Sequence, residues 1–196
     1  MAKKLGEYNK KRDFEKTPEP EGKADNSEGS LSFVVQHHLA RRDHYDLRLE
    51  WDGALLSWAV PKGPSYNPRD KRLAVRVEDH PLDYKNFEGT IPKGEYGGGT
   101  VMLWDEGTWE PLTHVETGVR EGSLKFTLDG RRLKGKWALI RMKEKENATG
   151  DNWLLVKERD SFTKDDDGVS MYSNSIRTDR TMEEISEGEN EKITKN

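Results

Sequence analysis

Four of the five histidines in this 196-residue chain fall between positions 37 and 80, interleaved with carboxylates and arginines. In the run His44-Tyr45-Asp46-Leu47-Arg48-Leu49-Glu50-Trp51, side chains two apart project from the same face of an extended strand. One face then carries His44, Asp46, Arg48 and Glu50, and the other Tyr45, Leu47, Leu49 and Trp51. The polar face reads in two ways: as the solvated side of a half-buried strand, or as a metal-ligand pair next to a phosphate clamp. A second run, Arg72-Leu73-Ala74-Val75-Arg76-Val77-Glu78-Asp79-His80, repeats the pattern. Leu73, Val75 and Val77 form its apolar face, and Arg72, Arg76, Glu78 and His80 its polar one, so two strands offer His, carboxylate and Arg together. Upstream, Phe33-Val34-Val35-Gln36-His37-His38 adds imidazole. Adjacent His37 and His38 must point opposite ways, so at most one reaches a shared site.

Two histidines and one carboxylate, in a chain without cysteine, suit Mn²⁺ or a similar divalent ion with positions open for water and substrate. The arginines suit phosphate oxygens, for which the guanidinium fork is shaped. Phosphoester hydrolysis is the chemistry implied. His80 is the candidate proton donor to the leaving oxygen of a phosphoester, with Glu78 expected to raise its pKa and keep it protonated near neutrality. The alternative role for His80 is that of a further metal ligand.

Strands must position these groups, and the chain supplies the signals for them. Short alternating or β-branched runs at 31–38, 44–51, 55–60, 72–78, 100–104, 123–128, 136–142 and 153–157 are punctuated by Gly, Pro and Asp. Asp52-Gly53, Glu106-Gly107 and Asp129-Gly130 offer turn chemistry, because Gly tolerates the positive φ of tight hairpins. Many short strands with little helical periodicity point to a barrel or sandwich. Residues 1 to about 30 read as an arm of loop composition, with Asn26-Ser27-Glu28-Gly29-Ser30 as one loop. The last forty read as a polar, partly disordered tail with at most a short helix near Thr181 to Ile185.

Composition bounds the rest. A hydrophobic fraction of 32% against 36% charged residues implies a core smaller than the length would allow. No apolar run approaches a bilayer span and the start lacks an apolar signal segment, so a cytoplasmic protein with no membrane association is expected. The net charge of −4 argues against bulk coating of nucleic acid. Its distribution is uneven, from basic Lys3, Lys4, Lys10, Lys11, Arg12 and Lys16 to acidic Glu183 to Glu189. The tryptophans on strand interiors read as core and His114 as surface. Gly94-Glu95-Tyr96-Gly97-Gly98-Gly99-Thr100 reads as a turn entering a strand, lacking the Gly-Lys-Ser/Thr ending of a nucleotide loop.

The run Gln36-His37-His38-Leu39-Ala40-Arg41-Arg42-Asp43-His44-Tyr45-Asp46-Leu47-Arg48-Leu49-Glu50 resembles the signature of the 3′-phosphoesterase domain of bacterial DNA ligase D and its stand-alone relatives. The likeness continues through Ser57 to Ser65, Lys71 to Val75, Glu78 to Tyr84, Phe87 to Pro92, Gly94 to Gly97, Trp104 to Trp109 and Trp153 to Lys157. Several motifs in one order over about 130 residues are far more specific than any one of them. The resemblance implies an all-β, single-domain β-barrel of short, mostly antiparallel strands over 31–158. Flexible tails flank it: an arm at 1–30 that partly folds onto the site, and 159–196. It implies removal of a 3′-terminal ribonucleoside from a primer strand and then of the resulting 3′-phosphate. The family's metal ligands carry over to His38, His44 and Asp46. Arg48, His80 and Tyr84 match its catalytic and phosphate positions, Lys62 and Arg72 its supporting cations, and Arg12, Asp13 and Glu19 the element that folds back.

The chain has no Lys-x-Asp-Gly ligase motif and is too short for fused polymerase and ligase domains, so these activities are expected from separate polypeptides. Partners are then DNA or RNA/DNA primer-template 3′ ends. Two other classes fit the motifs less well: a catalytically silent barrel that binds nucleic-acid ends, and an interaction module with a structural metal site.

Overall fold

Asp52 and Gly53 turn the chain with φ of 49° and 77°, the left-handed pair that a two-residue hairpin demands. Around that turn β2 (Asp43–Trp51) pairs antiparallel with β3 (Ala54–Val60), Trp51 opposite Ala54. The computed structural model describes residues 5–23, 29–143 and 151–194, with side chains up to residue 188. Lys3, Lys4, Asn26, Ser27 and Glu28 of the sequence reading lie outside the described residues.

The other strands are β1 (Ser32–Leu39), β4 (Arg72–His80), β5 (Gly89–Ile91), β6 (Gly99–Pro111), β7 (Ser123–Gly130), β8 (Lys134–Arg141) and β9 (Asn152–Lys157). They pair in the order β1-β2-β3-β4-β9-β8-β7-β6-β5, and β1 also pairs with β6. That last pairing closes an eight-stranded antiparallel barrel and leaves β5 as a short addition on β6. The expected barrel is therefore present. All eight expected strands form, and β5 is one the alternation did not signal.

Inside the barrel, Phe33 and Val35 of β1, Leu47 and Leu49 of β2, and Leu56 and Trp58 of β3 pack with Trp104, Trp109, Trp137 and Trp153. Five tryptophans are fully buried. Each removes roughly 150–250 Å² from water, about 4–6 kcal/mol before conformational entropy is counted. A second apolar cluster lies on the outer face: Leu55, Val101, Ile91, Leu82, Tyr84 and Phe87, with Tyr8 of the N-terminal arm. Leu55 sits there because odd-numbered β3 residues face out while its even-numbered neighbours face in. Outward positions near this second cluster are thus shielded, which is what a site needs.

One turn reading is corrected and another holds. Glu106-Gly107 does not end a strand, since β6 runs on to Pro111 with Gly107 opposite Gly130, whereas Asp129-Gly130 closes β7 and leads into the turn to β8, where the Gly130 N–H donates to the Leu133 carbonyl. A Cβ on Gly107 would sit 2.2 Å from the Asp129 carbonyl oxygen, so glycine serves close approach of two backbones here rather than a bend.

The C-terminal segment also departs from expectation. A helix spans Met182–Thr194 (α3, after α1 at Gly6–Lys10 and α2 at Val115–Glu121), longer than the short one anticipated. Thr181 and Glu184 form a reciprocal capping box, each side chain accepting from the other's backbone N–H at 3.3 and 2.8 Å. Ile185 is buried against the barrel core, and Glu88 accepts from the Ser175 and Thr178 hydroxyls and from Arg180. His114 is exposed and caps α2. No helix among the described residues is long and apolar enough to cross a membrane.

Candidate metal and phosphate site

β1 and β2 run antiparallel with His38 opposite His44 and Gln36 opposite Asp46, so both strands project these side chains outward from neighbouring positions. One ligand atom from each of His38, His44 and Asp46 lies within 4.8 Å of the others, a set able to hold a metal ion. The His44 Nδ1 bonds the Arg42 carbonyl oxygen at 2.8 Å, which makes that nitrogen the donor and turns Nε2 toward Asp46, 3.6 Å away. His38 Nδ1 stands 3.8 Å from the other Asp46 oxygen, and its buried Nε2 has no hydrogen-bond partner. Facing acceptors at spacings too long for hydrogen bonds leave room for a cation, and the nitrogen-oxygen donor set fits a divalent transition ion. His37 faces the other way, as parity requires, stacked on Tyr45 and paired with Asp43.

Arg48 is buried among fixed partners. Its Nε donates to Gln36 Oε1 at 2.7 Å and one Nη2–H to Asp46 Oδ2 at 3.0 Å, while Nη1 is buried with no partner. Gln36 in turn donates to the Tyr84 and Phe87 carbonyls, and the Tyr84 ring lies 4.8 Å beneath the guanidinium. Burial alone would raise the Asp46 carboxyl, but Arg48, His38 and His44 overcome it and hold it well below the usual carboxylate range. For His44, burial works downward and the Asp46 carboxylate wins, raising the imidazole.

His80 reaches this outer face through a bulge. Ser57 pairs with Val77 but Leu55 with His80, so Glu78 and Asp79 together oppose one residue of β3. The parity of β4 therefore changes partway along, correcting the single polar face expected for Arg72, Arg76, Glu78 and His80. Arg76 lies over Trp58 on the inward side, while Glu78 and His80 line the pocket. The expected protonated His80 is corrected as well. Burial, and then the Arg48 and Arg12 charges, push its pKa well below the ordinary value. Its Nδ1 is committed to the Glu78 backbone carbonyl at 2.9 Å, so Glu78 acts here through its peptide oxygen, and Nε2 is left as an acceptor.

That state predicts a pH effect. A histidine depressed in the fold contributes stability in full above its unfolded value near 6.5, and loses it as pH falls from there toward the folded value. With chelator present, the parent should lose up to about 1.4 kcal/mol per pH unit below 6.5 relative to His80→Phe. Denaturant unfolding between pH 7 and 5 measures it, and parallel profiles would show that His80 titrates normally.

The N-terminal arm closes over the pocket. Arg12 donates to Glu19 (2.9 Å), Glu78 (3.3 Å) and the Tyr8 carbonyl, and its Nη2 lies 3.4 Å from His80 Nε2. Tyr8 is fully buried edge-on to His80, and Lys11 pairs with Glu78. The pocket is thus lined by Arg12, Glu19, His38, His44, Asp46, Arg48, Glu78, His80 and Tyr84. Three expected members stand elsewhere. Asp13 is half-exposed, pairs with Lys16 and shapes a turn. Lys62 and Arg72 line a separate hollow with Arg69 and Lys71, where Arg72 pairs with Asp167. Inward parity takes Arg72 away from the site. Sequence reasoning assigned no role to Gln36 or Tyr8; Gln36 shares the parity of His38, which was available as a signal.

A closed antiparallel β-barrel thus carries on its outer wall a His-His-Asp set that could hold a cation, beside a buried arginine. The sequence model of the DNA ligase D 3′-phosphoesterase domain matches residues 36–141, and the chain belongs to that family. It is 48% identical over 186 residues to the multifunctional non-homologous end joining protein LigD of Pseudomonas aeruginosa, covering 92% of this chain and 22% of that protein. The multifunctional non-homologous end joining DNA repair protein LigD of Mycobacterium tuberculosis is 46% identical over 156 residues, 79% of this chain and 20% of the relative. The chain spans about a fifth of the length of these relatives.

Proposed function

We propose that this chain is a metal-dependent 3′-end-processing phosphoesterase of DNA repair, acting on terminal ribonucleosides and 3′-phosphates of primer strands to leave 3′-OH ends. The observation that carries the reading is the buried, unpartnered Nη1 of Arg48 in a pocket shared with His38, His44 and Asp46. A donor kept dry and unsatisfied is costly unless an acceptor arrives, and a phosphoryl oxygen is the acceptor its geometry suits. Held by His38, His44 and Asp46, a divalent ion such as Mn²⁺ would supply Lewis-acid polarisation and an acidified water.

The protein's own groups do the rest. Arg48, fixed on two sides by Gln36 and Asp46, offers its third edge to the phosphoryl group whose charge grows during displacement. Arg12 adds a second positive charge, kept over the site by Glu19 and Glu78. His80 has Nε2 as its working nitrogen. Burial depresses its pKa most, and the Arg48 and Arg12 charges add to that; a phosphate would offset the two charges, raising the proton affinity of Nε2 toward a role as proton donor to the departing oxygen. The hydroxyl of Tyr84 stays protonated, because burial raises it well above the ordinary value, so this ring does not act as a phenolate.

Purified protein incubated with a 3′-phosphate primer-template, with Mn²⁺ or with chelator, tests the reading. Expected is phosphate release that chelator stops while the fold persists. Binding to duplex ends without release would instead indicate a silent module, and unfolding on chelation a structural metal site. For His80→Ala, metal titration should be unchanged, with a larger loss on the 3′-phosphate strand than on a nitrophenyl ester, whose good leaving group needs no acid. Loss of metal with equal loss on both esters would place His80 among the ligands. A ligase and a polymerase of end joining are the activities such an enzyme would serve.

A further inference from the structure

At the mouth of this pocket stands Tyr96, a ring that is 46% exposed, carried on the turn between β5 and β6. Two successive turns shape the segment, Glu95 N–H to the Pro92 carbonyl and Gly98 N–H to the Glu95 carbonyl. Gly99 has φ +147°, and a Cβ there would lie 2.4 Å from the Leu39 carbonyl oxygen. Only glycine lets the turn rest against the end of β1, one residue beyond His38. From the arm, Lys11 Nζ lies 5.0 Å and the Arg12 guanidinium 5.2 Å from the ring centroid, and Lys11 reaches the hydroxyl at 3.4 Å. The ring is thus anchored at the pocket that holds Arg48 and His80 yet left open to solvent.

We propose that Tyr96 is a stacking platform for the nucleobase of the 3′-terminal nucleoside, the one on the far side of the scissile phosphate. The inference rests on the phosphoesterase reading and names a binding contact within it. His38, Asp46, Arg48 and His80 are all buried. A phosphodiester that reaches them cannot keep its terminal base stacked on its neighbour in the duplex. An exposed ring at the pocket mouth replaces the stacking that is lost, without reading sequence, because every base has a π face. Neighbouring Lys11 adds charge for the backbone. A 3′-phosphomonoester has no nucleoside beyond its phosphate, so the platform favours the diester.

The test compares the full chain with Tyr96→Ala and Tyr96→Phe on two primers: one ending in a ribonucleoside of 2-aminopurine, the other in a 3′-phosphate. Tyr96→Ala should lower the diester-to-monoester ratio of kcat/KM at least about fivefold, the low end of one stacked base, while Tyr96→Phe stays within about twofold of the parent. In chelator, where nothing turns over, 2-aminopurine fluorescence should be quenched by the parent and by Tyr96→Phe but not by Tyr96→Ala. Equal loss on both primers, equal quenching by all three proteins, or a Phe variant that behaves like Ala would overturn the assignment. The fluorescence measurement needs no catalysis. Failure of the parent to release phosphate therefore counts against the phosphoesterase reading, and failure of the quenching contrast against the platform.

Discussion

His38→Ala, His44→Ala and Asp46→Ala should each lower phosphate release from a 3′-phosphorylated primer by on the order of 10³-fold, the scale of several kcal/mol of charge stabilisation. His37→Ala should stay within about threefold of the parent. The contrast follows from strand geometry: His38 projects outward beside Asp46 and His44, whereas His37 stacks on Tyr45 on the other face. The three variants differ in stability. Losing His38 or His44 leaves the Asp46–Arg48 pair in place. Removing Asp46 leaves the buried Arg48 guanidinium without its carboxylate, a loss of about 3 kcal/mol or more for a broken buried pair. Activity against Mn²⁺ concentration, beside denaturant unfolding of each variant, separates these effects. Full activity in His38→Ala with a dead His37→Ala would overturn the assignment of faces.

Arg48→Ala should reduce kcat by about 10²–10³-fold, the cost of losing one preorganised donor to a developing oxyanion. Arg48→Lys should recover little of it. In the parent, the guanidinium bonds Gln36 through Nε and Asp46 through Nη2 and keeps Nη1 buried without a partner. An ammonium on a flexible stem cannot hold two anchors and still present a planar donor. Single-turnover rates with saturating substrate isolate kcat from binding. If Arg48→Lys turned over like the parent, the residue would contribute general positive charge rather than a directed contact.

Much of this site was legible one strand at a time. The alternation His44, Asp46, Arg48 against Tyr45, Leu47, Leu49 already separates an outer polar face from a core face, and the same rule lets only one of His37 and His38 join it, with the family resemblance naming His38. The Asp52-Gly53 hairpin then brings β2 and β3 together in a register that two positive φ angles leave no freedom to change. Composition could not tell Glu106-Gly107, inside β6, from Asp129-Gly130, at the turn into β8, because glycine serves close backbone contact and tight bends alike, and only the facing strand distinguishes them.

Parity is a property of one extended chain, so the sequence by itself determined the barrel's strands and the two faces of β1 and β2, with His44 and Asp46 sharing one of them. Tertiary structure alone decided the rest. The bulge opposite Leu56 sends His80 and Glu78 outward while Arg72 and Arg76 remain inward, since a bulge is defined by pairing with a second strand. Arg12, Glu19 and Tyr8 come from an arm with no periodicity of its own, held by the carboxylates, rings and apolar cluster it meets on the barrel. The charge state of His80 was read wrongly from Glu78 two residues away. Its proton affinity is set by burial and by two arginines, one from β2 and one from the arm, brought together by folding. A pKa depends on distance and dielectric through space, and neither is written along the chain.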